Sequence, residues 1–137
     1  MTFVEWVSAV VLTGYFACST GGGASLTGPS TSPPLPAGSA DVAIQDFTYS
    51  PATVNIRVGA AVRWTNYGPS PHTTTSNVGA WDSGQLNPAS GSGSYGGATQ
   101  GGTFQLTFTR TGTYGYHCRI HPPSLYPGFT GTVVVTP

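Results

Sequence analysis

From residue 41 onward this 137-residue chain consists of short runs in which apolar and polar residues alternate, each cut off by glycine or proline. A side-chain repeat of two belongs to a strand with one buried face, and no stretch carries the repeat of an amphipathic helix or a heptad. Val42 and Ile44 alternate within 41–45, Val54, Ile56 and Val58 share a face of 53–58, and Val62 and Trp64 point inward from 61–66. Residues 47–51 read as a turn. Gly68-Pro69-Ser70-Pro71 breaks the chain before a short strand over 72–76, and 81–84 is loop. Phe104, Leu106 and Phe108 line one face of 104–109, and Tyr114, Tyr116 and Cys118 one face of 113–118, with Gly115 and His117 opposite. Residues 132–135 close the chain as a buried strand. Seven or more short strands in this span predict an all-β domain, a two-sheet sandwich or a Greek-key barrel.

Composition narrows the function. Charged residues are 6% of the chain, and its four cations, all arginines, balance four carboxylates. Without a basic stripe, phosphate neutralisation cannot drive nucleic-acid binding. Hydrophobic residues, at 38%, suffice for a small core in part of the chain.

The organisation expected is a short address segment, a linker and one domain. Residues 1–18 hold an apolar run, Trp6 to Ala17, too short to span a bilayer as a helix, followed by Cys18. This resembles a bacterial lipoprotein signal, in which the cysteine becomes a lipidated N-terminus, although Tyr15 stands where that pattern has leucine and Glu5 where it has a basic start. A plain signal peptide or a short anchor is the other reading. Residues 19–39, rich in Gly, Ser and Pro, cannot bury a core and form a tether. The domain is 40–137, with a Gly/Ser-rich insertion at 89–102.

Three residues carry chemistry: His72, Cys118 and His121. Cys118-Arg119-Ile120-His121 lets a thiolate and an imidazole reach one ion from a strand exit, and His72 follows Pro71 in another segment. One thiolate and two imidazoles are the donor set of a blue-copper site. Zinc in the same place lacks the fourth donor of a structural site. A disulfide between Cys18 and Cys118 would need the tether to return to the core.

The surroundings of these residues resemble the cupredoxin family, the plastocyanin- and amicyanin-like proteins. The resemblance rests on Gly112-Thr-Tyr-Gly-Tyr-His-Cys118, Ile120-His121-Pro122 and Gly131-Thr-Val-Val-Val135. Upstream it rests on 47–59, Val62-Arg-Trp-Thr-Asn66, Pro71-His72-Thr73 and Trp81-Asp-Ser-Gly84, in the same order. It covers 41–136 and implies a two-sheet Greek-key β-sandwich, one type 1 copper, electron transfer, and His72, Cys118 and His121 as equatorial ligands. The chain departs from the family in the 89–102 insertion and in its ligand loop. That loop is longer than usual and lacks the axial Met; Met1 is the only methionine. Counting from His121 puts Ser124 in the axial place, and counting back from Gly131 puts Phe129 there; a backbone carbonyl is the third option.

Two functional classes follow. One is an exported copper electron carrier, in the periplasm or at the outer face of the cell membrane, held by lipid or a short anchor and serving membrane-associated redox proteins. The other is a structural or docking subunit of a larger membrane complex, its copper altered or lost, with Tyr95, Leu125, Tyr126 and Phe129 as an exposed partner surface. An enzyme is not expected. There is no Ser-His-Asp set, carboxylate pair or phosphate loop, and His117, read as outward-facing, is too little for a second copper. Tyr114, Tyr116, Trp64 and Trp81 read as packing residues, and Arg119 as a solvated charge.

Overall fold

The computed structural model describes residues 34–91 and 100–137. They form eight strands: β1 (Ala40–Gln45), β2 (Thr48–Ser50), β3 (Thr53–Arg57), β4 (Ala61–Asn66), β5 (Thr75–Ser76), β6 (Thr103–Thr107), β7 (Gly112–His117) and β8 (Thr130–Thr136). There is no helix among the described residues, hence none long and apolar enough to cross a membrane. One four-stranded sheet runs β2-β1-β4-β6 and the other β3-β8-β7-β5. Both are mixed: β1 runs parallel to β4 and β3 parallel to β8, while the remaining pairs are antiparallel. The expected two-sheet sandwich is the fold.

Alternation explains the core. Val42, Ile44, Val62 and Trp64 from the first sheet meet Val54, Ile56, Tyr116, Val133 and Val135 from the second, all buried. Trp64 is its centre, with ring centroids 5.5 Å from Tyr116, 5.8 Å from Trp81 and 5.9 Å from Phe104. Tyr116 pairs with Gly131 across β7 and β8. A Cβ on Gly131 would overlap the Tyr116 ring, so this glycine is where a large side chain crosses a neighbouring backbone.

Several boundaries differ from the sequence reading. The 47–51 turn holds β2, which pairs back on β1 through the two-residue turn Asp46-Phe47 and buries Tyr49. Phe47 takes the left-handed conformation, φ 65°, without the glycine that usually announces such a hairpin. Val58 lies beyond β3 and is 43% exposed, because the chain is already turning into Gly59 (φ 90°). The 72–76 strand shrinks to β5, and His72 instead forms an antiparallel bridge with Leu86. Phe108 is buried past the end of β6, its N–H donating to the Ala60 carbonyl at 3.0 Å. In β8 only alternate residues are fully buried, since its other face lies outside the sandwich.

The site lies at one end of the sandwich and the chain enters at the other. Ala40 pairs with Val62 at the start of β4, and the Ala61 N–H donates to Ser39 Oγ at 2.9 Å. The His72 segment leaves from the far end of β4, about 16 Å away at 3.3 Å per residue. The insertion starts and finishes near that far end. Gly102 N–H donates to the Asn87 carbonyl at 2.9 Å, Gly101 N–H to the Asn66 carbonyl at 2.8 Å, and Ala89 N–H to the Gly68 carbonyl at 2.9 Å. The address segment, most of the tether and Tyr95 lie outside the described residues.

Candidate metal centre

His72, Cys118 and His121 come together, their donor atoms all within 4.8 Å of one another. Each is placed by a different constraint. His72 exchanges two backbone hydrogen bonds with Leu86, at 3.1 and 2.7 Å. Cys118 follows directly on β7, its side chain on the inner face with Tyr116, as the alternation predicts. His121 lies three residues on, where Pro122 opens a tight loop: the Leu125 and Tyr126 N–H groups both donate to the Pro122 carbonyl, at 2.9 and 3.0 Å.

The spacing fits one ion. Cys118 Sγ is 4.0 Å from His72 Nδ1 and 3.7 Å from His121 Nδ1. A metal about 2.3 Å from a thiolate and about 2.0 Å from an imidazole nitrogen, with 120° between them, holds the donors about 3.7 Å apart. Burial pushes the Cys118 thiol up. Hydrogen bonds with His72, the Thr73 N–H and His121 outweigh it and bring the group down to about 6, so the donor is a thiolate at neutral pH. The His72 imidazole moves the other way: burial lowers it, but Cys118 and Asp46 raise it above its usual value.

Neighbouring residues complete the site. The Thr73 N–H donates to Cys118 Sγ at 3.4 Å, and Thr73 Oγ1 accepts the Arg119 N–H at 2.8 Å, tying the two ligand segments together. Tyr49 Oη donates to the Thr73 carbonyl at 2.6 Å. His72 and Cys118 are fully buried, while His121 keeps part of its surface. Phe129 lies 5.1 Å from the His72 ring and stacks on Tyr49 at 4.7 Å. Phe47 stands 5.2 Å and Tyr126 5.1 Å from the His121 ring, edge-on, and these two stack on each other at 4.2 Å.

This arrangement corrects the expected partner surface. Phe129 is fully buried, because its apolar ring fills the space between Tyr49 and His72, and Tyr126 is half-covered by Phe47. Leu125 alone of the described three stands out, 74% exposed. Ser124 is exposed, so of the two side chains weighed for the axial place it is Phe129 that packs against the site. Arg119 is not a solitary charge: its Nε pairs with Asp82 Oδ2 at 3.1 Å. His117 turns to the other face of β7, its Nδ1 2.6 Å from Asn77 Oδ1. Sequence reasoning missed Asp46 and Phe47, which reach the site from the β1–β2 turn. Their only sequence signal is an acid and an aromatic residue following an alternating run.

A two-sheet sandwich with one cysteine and two histidines gathered at one end defines a small copper-protein architecture. The profile of copper-binding proteins of the plastocyanin/azurin family matches residues 36–136, and the chain belongs to that family. Among solved structures it is similar to a novel purple cupredoxin from Nitrosopumilus maritimus, with 27% identity, a TM-score of 0.54, and 71% of this chain and 99% of that one covered. An oxidised proline-to-alanine variant of amicyanin has 28% identity and a TM-score of 0.55 over 72% of this chain and 83% of that one. A mutant fern plastocyanin, at 19% identity and a TM-score of 0.52 over 70% of this chain and 99% of that one, shares the fold. The cofactor is copper, and the three-residue cluster can hold a single ion.

Proposed function

We propose that this protein carries single electrons on one type 1 copper held by His72, Cys118 and His121. We place it outside the cytoplasm, tethered at a membrane face and serving membrane-associated redox proteins. The observation that carries this reading is the mutual approach of the three donor atoms, within 4.8 Å, among the rings of Phe47, Tyr126 and Phe129. Membership of a family of copper electron carriers agrees with it.

When bound, the copper supplies a one-electron couple. Cys118 contributes a soft thiolate, and His72 and His121 contribute imidazoles that suit both oxidation states. Burial holds His72 and Cys118 in one arrangement, so little has to move when the charge of the site changes. The aromatic rings keep water from the donors. His121, the least buried of the three, offers the shortest way from the site to a partner. The tether reading is supported by the entry of Ser39 and Ala40 at the end of the sandwich opposite the donors.

Metal analysis of the purified full chain with an optical spectrum tests the carrier reading. One copper per chain and a thiolate charge-transfer band at roughly 600 nm are expected. A folded protein with neither would favour the docking-subunit reading.

A further inference from the structure

The two imidazoles of the site are not held alike. His72 points Nδ1 toward Cys118, and its other nitrogen, Nε2, lies 3.0 Å from Asp46 Oδ1. Among the described residues His121 has no carboxylate on its ring; its neighbours are Cys118, the His72 ring and the aromatic rings of Phe47, Tyr126 and Phe129. Asp46 is itself fixed. Its Oδ2 accepts the Ser70 hydroxyl at 2.9 Å, and its Oδ1 accepts the Ser70 N–H at 3.3 Å. The Ser70 carbonyl in turn accepts a hydrogen bond from Asn66 Nδ2 at 2.8 Å, and the Gly68 N–H donates to Asn66 Oδ1 at 2.9 Å.

Gly68 makes room for this carboxylate. A Cβ at position 68 would stand 2.6 Å from Asp46 Oδ1, the oxygen that faces His72, and 3.1 Å from the Asp46 backbone nitrogen. The backbone of Gly68 is outside the left-handed region, so what the glycine supplies here is space. The turn that presents Asp46 also carries Phe47 at φ 65°, a conformation a bulky residue keeps only where its surroundings enforce it.

We infer that Asp46 is a positioning residue for the metal centre: its carboxylate holds the Nε2–H of His72, turns Nδ1 to the metal and, by raising the donor strength of that imidazole, lowers the reduction potential. The inference rests on the copper-carrier reading for the potential, and on the hydrogen bond alone for the orientation. A carboxylate on the far nitrogen of a ligating imidazole fixes ring and tautomer and makes the ring a stronger donor. The stronger donor favours Cu(II) over Cu(I). In this site it acts against the apolar ring of Phe129.

The test uses the full chain and three variants, Asp46→Ala, Asp46→Asn and Gly68→Ala. In Asp46→Ala the Cu(II) affinity is expected to fall about 10-fold or more relative to Cu(I). Each such tenfold difference raises the potential by about 59 mV for one electron. Gly68→Ala keeps the charge but displaces the carboxylate, so it should shift the potential in the same direction. The second readout needs no copper. In nitrogen-15 NMR of the metal-free protein, the His72 Nε2–H resonance should be slowly exchanging in the wild type. It should persist in Asp46→Asn, which keeps an acceptor oxygen, and be lost to exchange in Asp46→Ala. An Asp46→Ala protein that is folded, with potential and resonance both unchanged, overturns the inference, as does one that only melts earlier. A wild type that takes up no copper overturns the copper-carrier reading instead, and the positioning role is then decided by the resonance.

Discussion

Cys118 and Phe129 decide what the site can do at the scale of single residues. Cys118 is the only soft donor in the cluster, fully buried and held by the Thr73 N–H. Cys118→Ser is expected to abolish the band at roughly 600 nm while circular dichroism still reports a β-sandwich; a retained band would mean that another residue supplies the thiolate-like donor. Phe129 brings a ring with no lone pair to the side of His72, where a thioether would donate weakly to copper and favour Cu(II). Phe129→Met is therefore expected to lower the potential, measured by potentiometry on both proteins. A rise, or no change, would place the ring away from the axial direction. These two residues were legible to different degrees. The Cys-x-x-His spacing and the strand alternation expose Cys118, whereas in the sequence Phe129 fits both an axial place and an exposed surface. Only the stacking on Tyr49 separates the two, and stacking has no signature in local sequence.

Among the elements, the β7–β8 pair matters most, since it delivers Cys118. The Tyr116–Gly131 crossing fixes that pair, and an added methyl at Gly131 has no space to enter. Gly131→Ala is expected to cost about 2 kcal/mol by overpacking, seen as a lower midpoint in urea unfolding at unchanged slope; an unchanged midpoint would show that the Tyr116 ring can move aside. The insertion is the opposite case. Its base is closed by bonds among Asn66, Asn87, Gly101 and Gly102, so residues 89–100 can be removed and Pro88 joined to Gly101 with the sandwich kept. The shortened protein should keep its optical spectrum and melt within a few degrees of the full chain, because loop length enters stability only logarithmically. Loss of the copper band in the shortened protein would show that the insertion supports the site.

For the whole molecule, the geometry separates the start of β1 from the donors. The described chain starts at one end of the first sheet, and the donors cluster at the other end with the base of the insertion. The proposed lipid on Cys18, with 19–39 as the spacer, would attach the chain on the N-terminal side of β1. Intact mass of the native protein checks this: a chain beginning at a lipid-bearing Cys18 is expected, and an unmodified Met1 and Cys18 would favour an uncleaved anchor. The scarcity of charge has a counterpart in the fold. Two of the four arginines are paired with carboxylates, Arg63 with Asp41 and Arg119 with Asp82, and a third carboxylate, Asp46, is turned to the site.

The sequence by itself determined the all-β class, the inward faces of most strands and the three residues, His72, Cys118 and His121, whose donor atoms gather within 4.8 Å of one another. Those follow from a side-chain repeat of two, from turn residues, and from the chemistry of one thiol and two imidazoles, all properties a chain carries before it folds. Val58 and Phe108 fell on the wrong side of strand ends because a boundary depends on where a neighbour stops pairing, which alternation does not record. In the sequence Phe47 opens a turn and Asp46 belongs to no element, because nothing local distinguishes that turn from any other. Only the pairing of β2 on β1 carries them to the donors, where the carboxylate meets His72 and the ring meets His121. Their roles were decided by contacts between residues more than twenty positions apart, and such contacts exist only once the two sheets have closed on each other.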